Sequence, residues 1–190
     1  MRVERLVVAS KNPDKIAEVE EVLAGLSLVG EIVRGLDWPD VEETEETLEG
    51  NALLKARAVA RATGLAALAD DTGLEVDALG GAPGVHTARF AGPDATYDEN
   101  VDRLLQDLDG RTDRNARFRT AVALVGGGVE VVAEGIVEGE ITTVRQGSGG
   151  FGYDPVFAVG GRTFAEMGAE KHEISHRARA LRALAAKLAD

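Results

Sequence analysis

The sequence predicts an α/β fold in which a mixed β-sheet is flanked by helices, and three observations carry that prediction. The apolar run Leu6-Val7-Val8-Ala9 gives way at Asn12-Pro13 to apolar residues at helical spacing, so a buried strand feeds a helix. Two β-branched runs, 116–125 and 129–137, flank Gly126-Gly127-Gly128 and read as an antiparallel hairpin. The alanine-rich stretch 175–188 repeats Leu181, Leu184, Ala185 and Leu188 at the spacing of a helix.

The elements follow in order. Asn12 suits the cap of the first helix because its side chain can satisfy free amides, and Pro13 suits the first helical position. Ile16, Val19, Val22 and Leu23 form the apolar stripe, Gly25 ends it, and residues 26–33 read as a second strand. Residues 37–47 are acidic and aperiodic. Thr47 can cap the next helix, whose stripe of Leu48, Ala52, Ala56 and Val59 closes at Gly64. Residues 65–69 and 74–76 read as two strands on either side of a turn at Asp70-Asp71-Thr72-Gly73. After the loop 80–84, Val101, Leu104, Leu105 and Leu108 predict a helix near 96–108.

At 190 residues the chain fits one domain, spanning 1–190, with room for two lobes. Lys and Arg number 21 against 33 Asp and Glu, a formal charge of -12, with no basic run to offset it. A nucleic acid polymer is a poor partner for such a surface, because duplex binding draws its affinity from neutralised phosphates. A small anion held by a few convergent cations remains open. The chain has no cysteine, which excludes disulfides and thiolate metal sites. The first ten residues carry Arg2, Glu4 and Arg5 around a short apolar run, which fits neither a signal peptide nor a membrane span. A cytoplasmic protein with no membrane partner is expected.

Four polar clusters carry chemistry suited to a nucleoside triphosphate. Ser10-Lys11-Asn12-Pro13-Asp14-Lys15 lies where a strand meets a helix, so free amides and the positive end of the helix dipole converge with two ammonium groups. Asp70-Asp71-Thr72-Gly73 places two carboxylates side by side, an arrangement that needs a cation, and Mg²⁺ is satisfied by one or two acids plus phosphates and water. The acidic stretch 42–46 can supply one further ligand, and Lys55, among alanines, is expected to pair with Asp70 or Asp71. Gly149-Gly150-Phe151-Gly152-Tyr153-Asp154 concentrates glycine and aromatic residues in a chain that is 4% aromatic, as close approach to a ligand and stacking on a base require. Lys171 and Ser175-His176-Arg177 place donors at a helix start, where cations oppose the dipole and so call for another purpose. Donors facing a 6-keto oxygen accept hypoxanthine or xanthine and reject adenine.

In order and wording these strings resemble the inosine triphosphate pyrophosphatases, the RdgB-like dITP/XTP pyrophosphatases. The matching residues are Ser10, Asn12 and Lys15; Glu43-Thr44, Thr47, Asn51-Ala52 and Lys55-Ala56; 69–74; 80–84; Ala88-Arg89; 150–155; and Lys171 with 174–177. The resemblance covers nearly the whole chain. It implies a homodimer whose subunits have an elongated mixed sheet and two lobes with an active-site cleft between them. It also implies Mg²⁺-dependent hydrolysis of ITP, dITP and XTP to the monophosphate and pyrophosphate. In that family the loop here numbered 10–15 wraps the triphosphate, Asp71 matches the general base and Glu43 with Asp71 the metal site. Thr72 matches a substrate contact, Phe151, Gly152, Tyr153 and Asp154 flank the base, and Lys171, His176 and Arg177 read it. One departure stands out: many relatives carry an aromatic and an acid before Asn51, where this chain has Leu48 and Gly50.

Two other readings are weighed. A Maf-like pyrophosphatase would follow its first strand with a Ser-Pro-Arg-Arg type loop, which this chain lacks. A catalytically dead nucleotide sensor would have no use for the intact Asp70-Asp71 pair.

Overall fold

The switch at Asn12-Pro13 is built as predicted. In the computed structural model, which describes residues 3–26 and 28–189, strand β1 (Val3–Val8) leads into helix α1 (Pro13–Ala24). Asn12 adopts extended backbone geometry and its side chain accepts from the amides of Asp14 and Lys15, so the first free donors of the helix are satisfied locally. Strand β2 is Val29–Ile32, shorter than the sequence suggested. Helix α2 (Leu48–Thr63) is capped by Thr47 and closed by Gly64 at φ 70, a left-handed turn that favours glycine.

The chain then departs from its prediction. Residues expected to form two strands around a turn form one strand, β3 (Ala66–Val76), with Asp70 and Asp71 inside it. Two adjacent acids destabilise a buried strand only while uncompensated; here each meets a cation, so the ladder continues through them. Strand β4 (Pro83–Gly84), helix α3 (Tyr97–Asp107) and strands β5 (Asn115–Gly126) and β6 (Val129–Ile141) follow. The last two are joined by Gly127 and Gly128 at φ 64 and 82, the double left-handed turn of a tight hairpin. Strands β7 (Phe157–Val159) and β8 (Arg162–Thr163) and helices α4 (Phe164–Met167) and α5 (Lys171–Ile174) were not anticipated, being too short to show a period. Helix α6 (His176–Ala189) closes the fold.

The strands hydrogen-bond in the order β2-β1-β3-β5-β6-β7-β8, with β4 beside β3. β1 runs parallel to β2 and β3, while β3–β4, β6–β7 and β7–β8 are antiparallel, so the sheet is mixed. The chain divides into two compact units. One comprises Met1–Asp71, Thr120–Gly135 and Ser175–Asp190; the other comprises Thr72–Arg119 and Ile136–Ile174. In the first, Val19, Val22 and Leu23 of α1 and Leu181, Leu184 and Leu188 of α6 share a core with Leu6, Leu68 and Val122. In the second, the rings of Phe118, Phe157 and Phe164 pack with centroids 4.7 to 6.1 Å apart, beside Leu104 of α3 and Leu108, which caps it. Among the described residues no helix is long and apolar enough to cross a membrane.

Candidate active site

In the first unit, the loop after β1 is shaped by its own side chains. The hydroxyl of Ser10 accepts from the amide of Asn12 at 3.1 Å, and Asn12 Oδ1 accepts from Asp14 and Lys15 amides at 2.9 and 3.4 Å. Lys15 points its ammonium at Asp70, 3.4 Å from Oδ2, whereas Lys11 turns outward to Asp40 at 2.6 Å. Pro13 and Asp14 are exposed on the first turn of α1.

Asp70 and Asp71, each 5% exposed, take different partners, as alternation along a strand requires. Asp70 receives Arg177 through Nε at 3.2 Å and Nη2 at 3.0 Å, besides Lys15. Arg177 also donates to Glu18 of α1 through Nη1. Asp71 faces Lys55 at 3.2 Å and Asn51 Nδ2 at 3.3 Å, and the same Lys55 ammonium reaches Glu43 at 2.7 Å.

These partners separate the two acids. Burial would push the Asp70 carboxyl up, but the charges of Lys15, Arg177 and Lys55 outweigh it and hold this group far below the usual carboxylate range. Asp71 moves the other way: burial raises it, Lys55 only partly offsets the rise, and nearby Glu43 adds to it. Lys55 is held above its ordinary value, because its three acidic neighbours outweigh its own burial. Adjacent carboxylates driven apart in this way are suited to different tasks, a fixed anion beside a proton acceptor.

Glu43 and Asp71 share one ammonium, so their oxygens face a common point. A divalent cation that keeps water and substrate oxygens in its shell fits such a pair, although among the described residues no group of three or more His, Asp or Glu is arranged as a complete site. The absent acid at position 50 has a structural counterpart: a side chain there would overlap Cβ and Cγ of Glu45, at 2.7 and 2.9 Å, so Glu45 fills that space.

In the second unit, Asp154 organises the glycine-rich loop. Its Oδ2 accepts from the Phe151 amide at 2.9 Å and from Lys171 at 2.6 Å, and any side chain at Gly150 would overlap it. Lys171 lies 5.1 Å from the Phe151 ring centroid, over its face. Tyr153 is buried, with its hydroxyl donating to the Thr87 carbonyl at 2.9 Å, so it belongs to the core and leaves Phe151 as the aromatic of this loop that can stack. Gly152 sits at φ 61 and lets the loop turn. Thr72, which follows Asp71 on β3, is half-buried. His176 is buried, its ring bonded to Thr120.

Sequence reasoning assigned no role to Glu18, Asn51 or Thr120. Asn51 ties the acidic stretch to Asp71, exchanging hydrogen bonds with both backbone groups of Glu45 at 3.0 and 3.2 Å. A polar residue on an otherwise apolar helix face was the available signal, and Glu18 beside Val19 and Val22 carried the same one.

A chain of Chlorobaculum tepidum called a dITP/XTP pyrophosphatase is 49% identical, covering 97% of this chain and 92% of its own. Among solved structures, the HAM1 protein of Coxiella burnetii is 41% identical with a TM-score of 0.86, and the Ham1 protein of Staphylococcus aureus is 38% identical with a TM-score of 0.85, each covering 98% of both chains. Residues 6–187 match the Ham1 family, and the chain belongs to that family, as its resemblance to the dITP/XTP pyrophosphatases implied.

Proposed function

We propose that this chain hydrolyses ITP, dITP and XTP to the nucleoside monophosphate and pyrophosphate, with Mg²⁺, and so clears nonstandard purines from the cytoplasmic nucleotide pool as a homodimer. The names of its relatives support the substrate class. The observation that carries the chemistry is the difference in partners: Asp70 is held by Lys15 and Arg177, while Asp71 and Glu43 share Lys55.

Asp71, facing Glu43 and Lys55, accepts the proton of the attacking water as the α–β phosphoanhydride opens. Asp70 stays anionic and holds Lys15 and Arg177 in place. The amides and side chains of residues 10–15 receive the phosphates, with Lys15 as a point charge. Glu43 and Asp71 would hold Mg²⁺, which supplies charge neutralisation on the leaving pyrophosphate. Phe151 stacks on the base, Gly152 and Asp154 shape its pocket, Thr72 contacts substrate, and Lys171, His176 and Arg177 read the purine edge.

Pyrophosphate release across ITP, dITP, XTP, GTP and ATP, with and without Mg²⁺, tests this reading. Turnover is expected for the first three, lost on chelation. Equal kcat/KM for ITP and ATP, or no pyrophosphate from any of them, would overturn it.

A further inference from the structure

His176 opens α6 with its ring 3% exposed and Nδ1 2.6 Å from Oγ1 of Thr120, which is wholly buried in β5. A neutral imidazole has one nitrogen that donates and one that accepts, and a hydroxyl can take either role, so the role Thr120 takes at Nδ1 sets what Nε2 offers. The backbone of His176 is seated as closely as its ring. Gly135 lies within β6, where glycine ordinarily weakens a strand, and a Cβ there would overlap the His176 carbonyl and the Ala180 amide. Ser175 holds the first turn, its hydroxyl accepting from the Ala178 amide at 3.2 Å and its carbonyl from the Arg179 amide at 2.9 Å. Position and ring orientation of His176 are therefore both set by residues that touch no substrate in the function proposed above.

We infer that Thr120 is a positioning residue for base discrimination: its hydroxyl donates to Nδ1 of His176 and so leaves Nε2–H as the donor the neutral ring presents. A donor of that polarity meets the 6-keto oxygen of hypoxanthine or xanthine and opposes the 6-amino group of adenine. The inference rests on the reading of His176 as a base reader. Without the hydroxyl, the hydrogen bond at Nδ1 is lost, and with it a restraint on the tautomer and tilt of the ring.

The chain has three histidines, so the imidazole ¹⁵N spectrum is simple enough to assign with a His176→Ala control. In the wild-type protein Nδ1 of His176 is expected to be the unprotonated, hydrogen-bonded nitrogen; a spectrum with the proton on Nδ1 would overturn the inference without any variant. The ratio of kcat/KM for ITP over ATP is expected to fall about tenfold in Thr120→Val and to stay within about twofold in Thr120→Ser, which keeps the hydroxyl. If Thr120→Val keeps the wild-type ratio while His176→Ala loses it, Thr120 has no positioning role and the base reader stands. If His176→Ala keeps the ratio as well, the reading of His176 fails, and the inference with it.

Discussion

Strand β3 carries acids at its middle and near its end, and the two places differ in surroundings more than in composition. At the middle Asp70 and Asp71 are buried with Lys15, Lys55 and Arg177 against them. At the end, Glu75 and, just past the strand, Asp77 meet Arg117 at 3.6 and 3.0 Å, Arg119 reaches Glu75 at 3.1 Å, and all four side chains are 25–38% exposed. Each is a cluster of carboxylates and cations at ion-pair distance. Water screens the second and not the first, and unscreened charges can drive neighbouring carboxyls in opposite directions while screened ones add little. A charge cluster becomes chemistry through burial rather than through its residue types.

The largest expected contrast is in turnover. Asp71→Asn should lower kcat on ITP at least about a hundredfold, the scale of a lost general base, while Glu75→Gln stays within about twofold. Comparable losses in both, measured by pyrophosphate release, would break the comparison. In stability, Arg177→Met leaves Asp70 and Glu18 buried without their shared cation and should cost about 3–5 kcal/mol in urea unfolding. Arg117→Met, with half-exposed partners, should cost about 1 kcal/mol or less. Similar midpoints for the two variants would show that burial does not set the difference.

Lys55→Met sharpens the point at the proposed metal position. Glu43 and Asp71 would then face each other uncompensated, and the variant should melt below wild type in chelator by about 1–3 kcal/mol equivalent, with added Mg²⁺ closing most of the gap. A gap unaffected by Mg²⁺ would argue that the two acids do not share a cation. The smallest effect is expected at an exposed acid. Glu99 of α3 is held below its usual value by hydrogen bonds from the backbone and hydroxyl of Thr96. A depressed folded-state acid adds stability above its unfolded value of about 4.3 and loses it as pH falls through the folded value. The melting difference between wild type and Glu99→Gln should therefore be present at pH 7 and shrink steadily below about pH 4.3; a constant difference would refute the assignment.

Much of this was legible locally. Asn12, Thr47, Thr96 and Gly64 mark helix ends because a cap works over three or four residues, and the hairpin around Gly127-Gly128 declares itself by turn chemistry. In the glycine-rich loop the sequence offers two aromatics to a ligand, yet Tyr153 turned to the core because a buried ring needs an acceptor for its hydroxyl and Thr87 supplied one. The turn expected at Asp70-Asp71 became strand because the cations that make buried acids tolerable arrive from elsewhere in the chain.

The sequence alone determined the α/β class, the position of the longer helices and the family. Which carboxylate meets Lys15 and Arg177 and which meets Lys55 beside Glu43 was decided only by tertiary contacts, as was the partner of His176. Arg177 reaches Asp70 across 107 positions and Thr120 meets His176 across 56. Buried charges and hydrogen bonds must be satisfied by whatever the fold brings near, and those partners have no fixed spacing along the chain.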